Sequence, residues 1–221
     1  MTAPVSGEPV PGEPVPGRTE NRPRQLRPTE VKRLNRAWRR GTQARIALLL
    51  DSVTQPFNVG SIARTAAAFG VQHVWLCGNT APLDHPSVRK TALGTERFLS
   101  WEREPSPVSA AKAAAAAGLR VVAIELAAGA VPLHGAPVGG DVCLAIGNED
   151  HGCSPALLAV CAAAAYIPQV GRVGSLNVAV AAGIALAEAR RREWATAGHA
   201  GPEGPPDPRD RREPDTETSP G

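Results

Sequence analysis

The stretch "IALLLDSVTQPFNVGSIARTAAAFGVQHVWLCG", residues 46–78, decides the fold. "IALLLD" is an unbroken apolar run of strand length, the pattern of a strand buried on both faces. "NVGSIARTAAAFG" (58–70) reads as a helix closed by Gly70, and "HVWLCG" (73–78) as the next strand. Strand, helix, strand is the unit from which parallel sheets are built. The alternation continues downstream. "PVSAAKAAAAAGL" (107–119) is an Ala-rich helix, "RVVAIEL" (120–126) a strand, and "DVCLAIGNE" (141–149) a strand running into a loop. "SPALLAVC" (154–161) is a short helix with Ser154 as cap and Pro155 at its first position. "AYIPQ" (165–169) is a last short strand, and residues 175–193 form a long final helix. The expectation is an α/β fold with a mostly parallel sheet and helices on both faces.

The chain has 221 residues, enough for one ordinary domain plus tails. Residues 1–27, with a doubled "GEPVP", and residues 195–221 are expected as disordered Pro/Gly-rich tails. Between them lie a basic helix at 28–42 and the main domain at 43–194. No apolar run has membrane-spanning length, and the N-terminus shows neither a basic nor an apolar leader segment. The four cysteines form no C-x-x-C pair, which reads as reduced thiols of a cytoplasmic protein.

The net charge of +3 conceals an asymmetry, because residues 18–45 hold ten of the 24 Lys and Arg. In "PTEVKRLNRAWRR" (28–40), Val31, Leu34 and Trp38 make one apolar stripe. Lys32, Arg33, Arg36, Arg39 and Arg40 are left to face solvent or a polyanion such as RNA. A solvated basic segment that only aids solubility is the competing reading.

Parallel sheets bind ligands in loops beyond the carboxyl ends of their strands, here after Asp51, Leu126, Ile146 and Ile167. Neither G-x-G-x-x-G after the first strand nor a Walker A sequence occurs. His73, His85, His134, His151 and His199 lack ligand spacing, so no metal site is expected. Three polar clusters stand out at strand ends. Asn58 and Arg64 sit in a helix of otherwise small and apolar residues, with Pro56 fixing the turn and Gly60 permitting close approach. "AIGNEDHGCS" (145–154) turns sharply and presents Asn148, Glu149 and Asp150. "GRVGSLNVAV" (171–180) places Ser175 and Asn177 before an apolar run, where, taken alone, they read as helix caps.

In this order the clusters resemble the motifs of the SPOUT superfamily, specifically the TrmH-type RNA ribose 2′-O-methyltransferases. The matching residues are Pro56 through Gly70, Gly147 through Gly152, and Ile167 through Val178 with Glu188 and Arg191. The likeness covers roughly residues 43–194. It implies S-adenosylmethionine as methyl donor, a homodimer, and a deep C-terminal trefoil knot, which general chain-threading rules would not suggest. By position it carries cofactor contact onto Ile124, Leu126, Gly147, Ile167, Ser175 and Leu176. It carries catalytic support onto Arg64, Asn58, Glu149, Ser175 and Asn177. Arg64 would bind the neighbouring phosphate and stabilise the developing alkoxide, since a guanidinium does not give up its proton. Cys153 and Gln169 depart from the bulky aliphatic residue and the methionine usual in the family. Arg89, Lys90 and Arg97 fall where relatives contact RNA.

The resemblance therefore implies methyl transfer to a ribose 2′-hydroxyl of structured RNA. tRNA is favoured over rRNA because a basic helix stands in place of a separate RNA-binding domain. An RNA-binding protein of the same fold without catalysis, and a Rossmann-type nucleotide enzyme, are the alternatives.

Overall fold

The computed structural model describes residues 24–199 and 201, so most of the two expected tails lies outside the described residues. Among the described residues seven strands form one sheet: β1 (Ile46–Asp51), β2 (His73–Cys77), β3 (Ser100–Glu104), β4 (Arg120–Ile124), β5 (Val131–Pro132), β6 (Val142–Ile146) and β7 (Ala163–Tyr166). Their spatial order is β3-β2-β1-β6-β4-β7-β5, and every pairing is parallel. The helices are α1 (Pro28–Arg40), α2 (Pro56–Ala68), α3 (Pro86–Ala92), α4 (Pro107–Ala116), α5 (Pro155–Leu158) and α6 (Val178–Thr196).

Strand β1 shows why its sequence carries no alternation. Ile46, Leu48 and Leu50 enter a core shared with α2, α3 and α6, while Ala47 and Leu49 enter a second core under α4 and α5. Both faces are buried, so both parities must be apolar.

The structure departs from the sequence reading in three ways. Two strands were not foreseen. β3 reads "SWERE" and is largely exposed, and β5 has two residues. Both are edge strands, which have one neighbour and carry polar or very short sequences, so no apolar run marks them. The final helix starts at Val178 rather than 175. Asn177, at φ −57° and ψ 135°, is its cap, and its Oδ1 accepts from the N–H groups of Ala179 and Val180. Ser175 therefore stays in the loop and caps nothing. Ser154 precedes α5 in the expected place, but its hydroxyl makes no capping bond.

Gly60 does what its position suggested. A Cβ there would come within 2.6 Å of the Val88 carbonyl oxygen, so α2 and α3 can pack closely only over a glycine. Helix α1 docks through Trp38, whose ring lies 4.5 Å from that of Trp194 on α6.

A buried ion pair was also not anticipated. Arg190 and Glu193 on α6 are 3% and 8% exposed and lie 2.6 Å apart. Arg190 donates to the carbonyls of Phe69, Gly70 and Ala44, and Glu193 accepts from the N–H groups of Gln43 and Ala44. The pair closes the end of α2 and the entry to β1. Arg190→Ala is expected to cost about 3–5 kcal/mol in chemical denaturation, because it leaves a buried carboxylate and several carbonyls without partners. A loss under 1 kcal/mol would show that the pair is dispensable.

Candidate active site

The cleft lies at the carboxyl ends of β4, β6 and β7. It encloses about 320 Å³ and is lined by three segments and the start of α6. These are Ile124–Leu126, Ile146–Gly152, and the stretch from Tyr166 to Leu176 that includes Ile167, Gln169, Gly174 and Ser175. All six residues expected to touch a cofactor, Ile124, Leu126, Gly147, Ile167, Ser175 and Leu176, line it. The volume falls in the range of small-molecule sites, and the wall mixes aliphatic side chains with exposed loop backbone.

The loop after β6 is closed on itself. Asn148 and Gly152 exchange two backbone hydrogen bonds, and Asn148 Oδ1 accepts from the N–H groups of Asp150 and His151. Gly147 has no room for a side chain, since a Cβ would strike the backbone of Gly152 and Cys153. A Cβ on Gly152, at φ 68°, would strike the Glu125 carboxylate. Glu125 itself accepts from the N–H groups of Leu126 and Cys153, tying the loop after β4 to the loop after β6.

The loop between β1 and α2 is laced to the same structure. Glu149 accepts from the N–H groups of Thr54 and Gln55 at 3.1 and 3.0 Å and from Asn58 Nδ2 at 3.0 Å. Asn58 Oδ1 in turn accepts from Asn177 Nδ2, and Asn148 Nδ2 donates to the carbonyl of Ser52. Asp51 accepts from the N–H of Ser154. The structure thus joins Asn58, Glu149 and Asn177 into one chain of hydrogen bonds across three loops.

Burial pushes the Glu149 carboxyl up, but the Asn58 amide and the backbone N–H groups together outweigh it and hold the group below its ordinary value of 4.5. A depressed carboxylate stabilises the fold fully above its unfolded value and loses that contribution as pH falls through the lower folded value. Loosening of this network is therefore expected only in acid below pH 4.5. Glu149→Gln turns one acceptor into a donor facing N–H groups. It should cost about 1–2 kcal/mol, at the low end for unsatisfied donors because the loop is partly wetted. Thermal unfolding of the two forms from neutral to acid pH checks this: their difference should shrink in acid, and a constant difference would contradict the assignment.

Arg64 stands apart. It is exposed, does not line the cleft, and makes no hydrogen bond or ion pair among the described residues. Arg89, Lys90 and Arg97 are exposed on α3 and on the 3-10 turn Thr95–Phe98 that follows it. Lys32, Arg33, Arg36, Arg39 and Arg40 are exposed on α1. That helix borders a groove with Phe69, Gly70 and Gln72, just before β2 begins, at the amino end of the strands and so opposite the cleft. Arg45, counted with the basic segment, is instead spent on Asp141 through a two-pronged ion pair. Among the described residues no group of three or more His, Cys, Asp and Glu is placed to hold a metal ion, and no helix is long and apolar enough to cross a membrane.

Sequence reasoning missed Glu125 and His151 as cleft residues. Glu125 could have been found as a carboxylate at the end of a buried strand. His151 had no ligand-like spacing to mark it.

An all-parallel sheet with a loop-walled cleft at its strand carboxyl ends defines an α/β protein whose cleft lies where such sheets hold ligands. The particular family follows from comparison. Residues 45–187 match the SpoU rRNA methylase family, and the chain belongs to that family. It is 35% identical over 147 residues to the 23S rRNA (guanosine-2′-O-)-methyltransferase RlmB of Acinetobacter baylyi, a stretch covering 66% of this chain and 59% of that one. The structure resembles the AdoMet-bound rRNA methyltransferase of Sinorhizobium meliloti, with TM-score 0.63, 36% identity, and coverage of 67% of this chain and 57% of that one. It also resembles the TrmH/SpoU tRNA modifying enzyme of A. aeolicus, with TM-score 0.64, 27% identity, and coverage of 79% and 89%. The chain spans little more than half the length of the first curated relatives it matches, 55–59%.

Proposed function

We propose that the protein is an S-adenosylmethionine-dependent RNA methyltransferase that acts on a ribose 2′-hydroxyl of structured RNA. The observation that carries this reading is the cleft itself, whose six expected cofactor residues converge from three loops. The wall fits the group. Ile124, Ile146, Ile167 and Leu176 offer apolar surface to an adenine, and Glu125 and Asp150 offer negative charge to a cationic methionine end. The chemistry a bound S-adenosylmethionine supplies is an electrophilic methyl group on a sulfonium.

The chain's own residues align and polarise. Glu149 has both oxygens committed to donors and a depressed pKa, so it holds loop geometry and is a poor proton acceptor. Asn58 and Asn177 pass that geometry to the start of α6. Arg64 grips a substrate phosphate and stabilises the developing alkoxide.

Arg64 lies about 12 Å along α2 from Pro56, at the usual helical rise, so a single copy leaves it away from its own cleft. A homodimer resolves this. Phe57 on α2 and Val180 and Ile184 on α6 are exposed apolar residues on two helices that pack together, a face suited to a second copy. The deep C-terminal trefoil knot, formed by the last third of the domain, belongs to the same proposal. So does a cytoplasmic location.

tRNA is the favoured substrate. The likeness spans 89% of the tRNA-modifying structure against 57% of the rRNA one, and α1 presents a basic face. The higher identity to the 23S rRNA relative points the other way, so the substrate is decided by mapping. Ribose-methylation mapping of total RNA with and without the gene should show one or a few sites lost on deletion. Loss of none would overturn the assignment for native RNA. A non-catalytic RNA-binding protein of this fold is the second reading, and calorimetry showing no S-adenosylmethionine binding at millimolar concentration would favour it.

A further inference from the structure

The connection from α3 to β3 carries a surface feature that the cleft does not use. Leu93 ends α3 at φ 55°, and Gly94 follows at φ 78°. The left-handed region is strained for leucine, and here it sets a large apolar side chain 65% exposed. Phe98, at the end of the 3-10 turn, is also 65% exposed. Arg97 lies between Gly94 and Phe98. Its guanidinium carbon lies 4.8 Å from the centre of the Phe98 ring, and its Nη1 lies 4.0 Å from where a Cβ on Gly94 would stand. The turn's one carboxylate, Glu96, is half-buried, with its Oε2 buried and without a hydrogen-bond partner. Arg89 and Lys90, on the last turn of α3, are exposed and make no ion pair among the described residues.

We propose that Phe98 and Arg97 form a stacking site for an unpaired base of the RNA substrate, with Arg89 and Lys90 holding the flanking phosphates. The inference rests on the RNA-methyltransferase reading and adds the kind of RNA taken. An aromatic face flanked by a guanidinium suits a base and its phosphate together, whereas a duplex offers no base face to stack. Arg97 at the ring, with Arg89 and Lys90 exposed on the adjoining helix, matches a polyanion, and an apolar protein partner would leave these cations buried without counter-charges. Phe98 lies just before β3 begins, at the amino end of the strands and away from its own chain's cleft, on a turn that packs against the helix carrying Arg64.

The test uses the full chain and two probes, a single-stranded oligoribonucleotide carrying 2-aminopurine and a duplex of equal length. Phe98→Ala should weaken single-strand binding about tenfold and abolish the stacking-induced quenching of 2-aminopurine, while Phe98→Trp keeps both. Duplex binding should not change. Arg97→Ala should also weaken binding and lower the salt dependence by about one phosphate contact. The proposal is overturned if Phe98→Ala binds single strands like wild type, if duplex binding falls equally, or if the substitution changes oligomeric state instead. S-adenosylmethionine calorimetry on each variant separates the two claims. Normal cofactor binding with no effect on RNA sinks the platform alone, whereas absent cofactor binding in wild type sinks the enzyme reading.

Discussion

Gly147→Ala is expected to weaken S-adenosylmethionine binding about a hundredfold in a chain that still folds. The added methyl would strike the backbone of Gly152 and Cys153, and backbone cannot swing aside as a side chain can. To make room, the loop must give up the paired bonds between Asn148 and Gly152 and the bond from the Cys153 N–H to Glu125. At about 1 kcal/mol for each bond lost, the cleft is deformed at a cost of about 3 kcal/mol, or about a hundredfold in affinity. The cores on both sides of the sheet are untouched, so circular dichroism should stay native. Calorimetry that finds wild-type affinity would show that this loop is not the cofactor's wall.

Arg64→Ala is expected to remove catalysis and spare cofactor binding. Arg64 lies on the exposed side of α2, outside the cleft, and no structural hydrogen bond depends on it among the described residues. Its loss should leave stability and S-adenosylmethionine affinity within about twofold, since isolated surface changes cost little. Turnover should fall by about 10²–10³, the usual consequence of deleting a donor aimed at developing negative charge. Arg64→Lys should recover only part of it, because an ammonium lacks the two-pronged geometry for phosphate. Near-normal turnover in Arg64→Ala would remove the residue from the mechanism.

The buried strands and the residues at their carboxyl ends were legible because burial on both faces forces continuous apolar runs. "IALLLD" and "DVCLAIGNE" could be read for that reason. The edge strand "SWERE" could not, since an edge needs no such run. Asn58, Glu149 and Asn177 were visible as polar residues in apolar surroundings, but their connection was not. Asn58 and Asn177 are 119 positions apart, and only the sheet order brings them together. Ser175 and Asn177 were equal candidates for the helix cap, and the backbone geometry at Asn177 chose between them. Arg190 and Glu193 were hidden in a charged stretch, "EARRREW", whose other charged members pair with one another at the surface.

The central claim is methyl transfer to a ribose oxygen, and nucleoside analysis tests it most directly. The protein is incubated with S-adenosylmethionine labelled at the methyl group and with unmodified tRNA and rRNA transcripts, and the RNA is then digested to nucleosides. Label is expected in a single 2′-O-methylnucleoside, and it should be lost with Arg64→Ala. Label in a base-methylated nucleoside, or no transfer from a protein that binds the cofactor, would contradict it.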